Sequence, residues 1–301
     1  HCIRAGGGGS AIDTPKGIAH GAANPDKKLW DIWTKKVPLT KSTPVGVVLT
    51  IAAAGSEMSD SAVLTNEAIG KKSGINTVFN RVKFAVMNPE LAFTLPEYQL
   101  ACGITDIMMH TMERYFIPGI KCQLTAEISE GLLRTVIENG RLVMKNKEDY
   151  DAMAEVMWCS SISHNNLTEA GRGKDFSVHK LGQALGAKYD VAHGASLAAV
   201  WGSWARYQYS SAAGRFARFA DKVWGIRKED EKEAALAGIE ATEAYFRAIG
   251  MPTSLTELGV DPSEEDLREL SLNATMNDTV KLSRLKPLGA EEVLEIYHMA
   301  R

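Results

Sequence analysis

A carboxylate and an imidazole, Asp106 and His110, stand four residues apart in the stretch ACGITDIMMHTMERYF. Helical spacing puts both on one face, about one turn apart. A plain i,i+4 contact between them is the simpler alternative, but Ile107, Met108 and Met109 share the stretch. An uncompensated carboxylate buried among such residues is costly, and a metal ion removes that cost. His179 and His193 lie fourteen residues apart, the first in the helical pattern FSVHKLGQALGAKYD, the second in the turn Asp190-Val191-Ala192-His193-Gly194. Either alone also reads as a satisfied core histidine. Taken together, one carboxylate and three imidazoles make a four-ligand set for a borderline divalent ion, Fe²⁺ or Zn²⁺, with a position left for a substrate oxygen. His1, His20, His164 and His298 show no partner pattern and are expected to be surface or structural.

A second chemistry is written near the start. Gly6-Gly7-Gly8-Gly9-Ser10 follows a short apolar run and precedes Ala11-Ile12-Asp13, with Lys16 one turn on. Residues without side chains let the backbone approach a pyrophosphate, and a following helix offers free N–H groups and the positive end of its dipole. The loop matches neither G-x-G-x-x-G nor a P-loop, and a flexible turn is the alternative. Another loop, Ala52-Ala53-Ala54-Gly55-Ser56-Glu57, closes the apolar run Val45–Ile51. Ligands of open α/β sheets sit beyond the C-terminal ends of strands, where both loops would lie.

Those residues need elements to hold them. The runs Ile3–Ala5, Val45–Ile51, Ala62–Thr65 and Val82–Met87 read as strands, and their continuous apolar character predicts a sheet covered on both faces. Beyond Leu95-Pro96 the period becomes helical, over Pro96–Phe116, Cys122–Asn146, Lys147–Thr168, Phe176–Lys188, Gly194–Tyr209, Ala212–Trp224, Glu229–Ile249, Ser263–Leu272 and Ala290–Arg301. The expectation is therefore an α/β domain over residues 1–92 and an all-α domain over 93–301.

Composition excludes much else. The 301 residues carry a net charge of −3, are 45% hydrophobic and 24% charged, and offer no basic footprint for nucleic acid. The longest apolar candidate, Val45–Ala54, is strand length and too short for a membrane helix. Four cysteines without a CxxC pair fit a reduced, cytoplasmic protein.

The segments GGGGSAIDTPK, TIAAAGSEMS, DIMMH and HKLGQALGAKYDVAHG resemble, in order and spacing, the iron-containing (group III) alcohol dehydrogenases, especially the butanol-dehydrogenase-like branch. The resemblance runs from about Ala5 to the C-terminus and implies a dehydroquinate-synthase-like architecture, with a partial α/β dinucleotide-binding domain over 1–92 and an all-helical metal-binding domain over 93–301. It implies Asp106, His110, His179 and His193 as metal ligands. For NAD(P) it implies Gly8, Gly9 and Ser10 at the pyrophosphate, braced by Asp13, and Thr50 and Ser56 in a second nucleotide loop. Lys72 would stand near the nicotinamide ribose, with Lys71 in its place if the hairpin shifts by one, and Leu91 and Thr94 would line that end of the cofactor. The family is commonly dimeric or larger.

Three departures from the family pattern stand out. Ala53-Ala54 occupy the place of a Thr-containing loop, Gln183 stands where many members carry a proton-relaying histidine, and the strand–helix units expected before the glycine loop are absent from this sequence. On this reading the nucleotide domain is truncated. The implied reaction is metal-assisted hydride exchange between NAD(P) and a small alcohol or aldehyde. A glycerol-dehydrogenase-like polyol oxidoreductase on the same fold, a catalytically incompetent metal-binding fragment and a metal-dependent hydrolase are the rivals. Trp158, Phe93 and Met109 are candidates to line an apolar substrate pocket.

Overall fold

The computed structural model describes residues 2–69, 71–118 and 121–301, without the side chain of Lys71. His1 and the alternative placed on the Lys71 side chain lie outside this description. Strand β1 (Ile3–Gly7) leads through Gly8 into α1 (Gly9–Ala23), and a short α2 (Leu29–Trp33) precedes β2 (Val45–Leu49). Next come β3 (Ser61–Asn66), β4 (Lys71–Asn76) and β5 (Phe84–Val86). Strands β1, β2 and β5 form one parallel sheet in the order β1-β2-β5, with Ala5 opposite Val47 and Val47 opposite Ala85. Strands β3 and β4 pair antiparallel in a separate hairpin, Val63 opposite Gly74.

The sheet departs from the double covering its sequence predicts. Only β2 is largely buried; β1 alternates and all three residues of β5 are exposed. Strand β2 is enclosed because Val45, Val47 and Leu49 join the main core with Ile12 and Ala19 of α1. Elements α2, β3 and β4 share a small core of their own, Ile32, Trp33, Ala62 and Ile75.

Among the described residues from Glu97 onward, the regular elements are all helices apart from a single Leu282–Leu288 bridge. Helix α3 (Glu97–Tyr115) is the axis of this part: Leu100 through Tyr115 are all buried. It touches α4 (Gln123–Lys145), α5 (Tyr150–Ser163), α6 (Ser177–Tyr189) and α7 (His193–Gln208). Close approach depends on absent side chains: a Cβ on Gly103 would meet the Ala52 carbonyl oxygen at 2.1 Å, and one on Gly194 would meet the Cys102 carbonyl oxygen at 2.2 Å. Helices α8 (Ala213–Trp224), α9 (Glu231–Ala248), α10 (Leu255–Leu258), α11 (Glu264–Ala274) and α12 (Ala290–Ala300) complete the bundle. Fully buried Trp201, Trp204, Phe216 and Phe246 fill its centre. Each such side chain contributes about 1.5–3 kcal/mol of burial. No described helix is long and apolar enough to cross a membrane.

Candidate metal and cofactor site

Helix α3 brings Asp106 and His110 to one face as their spacing requires, both 4% exposed. His179 reaches the same point from the first turn of α6, which opens at Phe176 in the left-handed region (φ 63°). Single oxygen and nitrogen atoms of Asp106, His110 and His179 all lie within 4.8 Å of one another. Asp106 Oδ1 stands 3.3 Å from His110 Nδ1 and 3.4 Å from His179 Nε2. None of these three atoms has a hydrogen-bond partner, although all are buried. Leaving such groups unpaired costs about 1–3 kcal/mol each. A divalent cation among them satisfies a carboxylate oxygen and two imidazole nitrogens at once, so the donor set fits the ion its chemistry suggests.

His193 stands somewhat apart. Its Nε2 is 3.7 Å from Asp106 Oδ1, but the side chain is exposed. The turn expected to carry it is shorter than the sequence reading: Asp190 ends α6 in the left-handed region (φ 52°), and His193 is already the first residue of α7.

Two groups around the cluster are missing from the sequence reading, buried Glu113 and half-buried His164. Glu113 occupies the same face of α3 one turn past His110, hydrogen-bonds His179 Nδ1 through Oε2, and accepts the His179 amide on Oε1 at 3.2 Å. Its position seven residues after Asp106 was the available signal. His164 had no such signal. It caps the end of α5, lies against His110 with ring centroids 4.2 Å apart, and its Nδ1 hydrogen-bonds the Ala54 carbonyl at 2.8 Å. The expected surface or structural role for His164 is thus corrected to a place in the site, while His20 is fully buried between Ser42 and Asn80 and His298 is an exposed partner of Glu264.

Burial holds the His110 and His164 imidazoles well below their ordinary pKa, helped by neighbouring cationic groups. Neutral rings are what ligation requires. Burial also opposes charge on His179, but the Glu113 and Asp106 carboxylates outweigh it and push its pKa up to about 9.

The cluster opens into a cleft of about 240 Å³, whose far wall belongs to the α/β part: Asp13, Ala54, Ser56, Ser59, Ser61 and Val63. Asp13 Oδ1 accepts the Ser56 hydroxyl at 2.5 Å, and Asp13 Oδ2 accepts the Val63 amide at 2.8 Å. Beneath them Lys16, fully buried, donates to the Ser56 and Ser61 carbonyls at 2.8 and 2.9 Å. Burial lowers its pKa against the pull of Asp13.

Gly8, Gly9 and Ser10 follow β1, Thr50 follows β2, and Leu91 and Thr94 follow β5, so all stand beyond the C-terminal ends of the parallel strands. Gly8 caps α1 with no side-chain cap and no acid in the first turn, which suits an anion. The glycines also answer to packing: a Cβ on Gly8 would meet Ile51 Cγ2 at 2.2 Å. Lys72 is exposed on β4, and Leu91 and Thr94 are exposed. Gln183 lines the cleft one turn beyond His179.

The expected apolar pocket is not built from the residues named for it. Met109 is fully buried in the helical core, Trp158 is 51% exposed, and Phe93, just after a 3-10 turn, packs against the core, so none of the three lines the cleft. Its apolar lining is Ala54, Val63 and Phe176, beside Lys174 and Lys180. A separate depression near Tyr98, Arg247 and Glu257 gathers no set of ligating groups.

A parallel α/β sheet with a glycine loop, facing a helical bundle through a carboxylate–imidazole cluster, is the arrangement of a metal-dependent dehydrogenase. Residues 1–89 match the family model described as iron-containing alcohol dehydrogenase, and residues 100–301 match the C-terminal part of the Fe-containing alcohol dehydrogenase family. The chain belongs to the iron-containing alcohol dehydrogenase family. It is 37% identical to NADH-dependent butanol dehydrogenase A of Clostridium acetobutylicum, over 97% of this chain and 75% of that protein. It is 34% identical to the NADPH-dependent aldehyde reductase YqhD of Escherichia coli, over 85% of this chain and 67% of that protein. The crystal structure of NADH-dependent butanol dehydrogenase A from Thermotoga maritima superposes with a TM-score of 0.92 at 34% identity, covering 99% of this chain and 76% of that one.

Proposed function

We propose that this chain is an NAD(P)-linked alcohol dehydrogenase or aldehyde reductase acting on small alcohols or aldehydes, with Asp106, His110, His179 and His193 holding a divalent iron or zinc ion. The observation that carries the metal assignment is the convergence of three buried, unpartnered atoms, Asp106 Oδ1, His110 Nδ1 and His179 Nε2. The butanol dehydrogenase and aldehyde reductase relatives support the reaction and the cofactor class. When bound, the ion polarises the substrate oxygen and so favours hydride exchange with the nicotinamide.

The chain's own residues do the positioning. Asp106 would supply the one negative charge of the ligand set, and His110, His179 and His193 its imidazole nitrogens. Gly8, Gly9 and Ser10 receive the pyrophosphate at the start of α1, while Asp13 and Ser56 hold the two nucleotide loops together. Thr50, Lys72, Leu91 and Thr94 complete the cofactor contacts in this proposal. The division into a nucleotide-binding part over 1–92 and a metal-binding part over 93–301, a homo-oligomeric state and a cytoplasmic location belong to the same proposal.

Metal analysis of the purified chain, run beside NADH- and NADPH-dependent butyraldehyde reduction, tests it. About one iron or zinc per chain, lost in His179→Ala together with activity, is the expected result. Metal undiminished in His179→Ala refutes the ligand assignment.

A further inference from the structure

We infer that Glu113 is a positioning residue for the metal site: one buried carboxylate sets both the backbone and the ring of His179. This rests on the metal site proposed above. Glu113 is 1% exposed and belongs to α3, the helix that also carries Asp106 and His110. A single rigid element thereby presents two ligands and the support for a third, which arrives from α6.

Each Glu113 oxygen has its own donor. Oε1 accepts the His179 amide at 3.2 Å, and Oε2 accepts Nδ1–H of the same residue. The amide is one of the unsatisfied N–H groups that open α6, a helix with no side-chain cap of its own, so the carboxylate caps it from a neighbouring helix. The Glu113 carbonyl accepts the Asp175 amide at 3.0 Å, tying down the turn just before α6.

The second bond decides the chemistry of the ring. With its proton on Nδ1, a neutral His179 presents the lone pair of Nε2 toward Asp106 Oδ1, 3.4 Å away. A cation lying between Nε2 and Oδ1 takes the place of the second proton that Nε2 otherwise carries toward that carboxylate. Glu113 thus fixes the ligating tautomer and the ring direction together, as outer carboxylates do for metal-bound histidines.

Glutamine cannot take its place, since it offers one acceptor oxygen and an NH₂ group that would face a donor. Titrating metal-free wild type, Glu113→Gln and Glu113→Asp with Co²⁺ against a chromophoric chelator tests this. Glu113→Gln is expected to weaken affinity about 10–100-fold. Glu113→Asp, which keeps the charge but is too short to reach both donors, is expected to weaken it as well, and decides the matter should the Gln variant fail to fold. The Co²⁺ ligand-field bands, which a merely structural change elsewhere would leave alone, should shift in either variant. Unchanged affinity and bands in a folded variant overturn the inference. If Co²⁺ binding is lost in His179→Ala yet intact in Glu113→Gln, the role of Glu113 falls and the metal site stands. A wild-type chain that binds no Co²⁺ removes both.

Discussion

His164 lies nearly flat on His110, ring centroids 4.2 Å apart and planes 24° from parallel, while its Nδ1 hydrogen-bonds the Ala54 carbonyl at 2.8 Å. One imidazole therefore joins the carboxylate–imidazole cluster to the Ala52–Glu57 loop. His164→Ala is expected to cost about 1–2 kcal/mol of stability through the lost bond and packing. It should also weaken NAD(P)H binding by loosening the loop. Thermal unfolding and cofactor titration check both, and an unaltered melting temperature would argue that the stack is incidental.

Gln183 lines the cleft one turn beyond His179 but cannot titrate near neutrality. Gln183→His introduces a group with an ordinary pKa of about 6.5 at that spot. The pH dependence of kcat is expected to gain an inflection near that value. A superimposable pH–rate profile for wild type and variant would count against a relay at this position.

The glycine loop can be tested against a glycine that packing leaves free. A Cβ on Gly8 would meet Ile51 Cγ2 at 2.2 Å, whereas one on Gly21, in the same α1, meets nothing within 4 Å. Gly8→Ala should destabilise by about 1–3 kcal/mol through overpacking. Gly21→Ala should stabilise by about 0.5–1 kcal/mol through the reduced entropy of the unfolded chain. Denaturant melts of the pair decide, and equal effects would show that the Gly8–Ile51 contact relaxes freely.

Burial pushes the Cys102 thiol up to about 11 and the Cys159 thiol up to about 12. At pH 8 iodoacetamide should modify exposed Cys2 long before either, as read by mass spectrometry. The linkage runs in the alkaline direction. A thiol whose folded pKa exceeds its unfolded value adds stability below the unfolded value, and that stability is lost as pH rises toward the folded one. Stability should therefore fall between about pH 9 and pH 11, and replacing Cys102 with Ala should flatten that part of the profile. An equal decline in the variant would assign it to other groups.

The sequence by itself determined what depends on local spacing. Asp106 and His110 share a face of α3 because a helix returns every 3.6 residues, and the change from β-branched runs to helical periods near Leu95-Pro96 is visible without coordinates. The glycine loop was legible because only glycine tolerates such close approach. Only the tertiary structure decided what depends on distant segments meeting. His164 joins His110 because the end of α5 is brought beside the Ala54 loop. Glu113 meets His179 because α6 begins against α3, and Trp158 faces outward because α5 presents its other side to the core. Periodicity fixes which side chains share a face. Which faces then meet is set by packing across the whole chain, where burial and the pairing of buried polar groups choose among arrangements that no local pattern distinguishes.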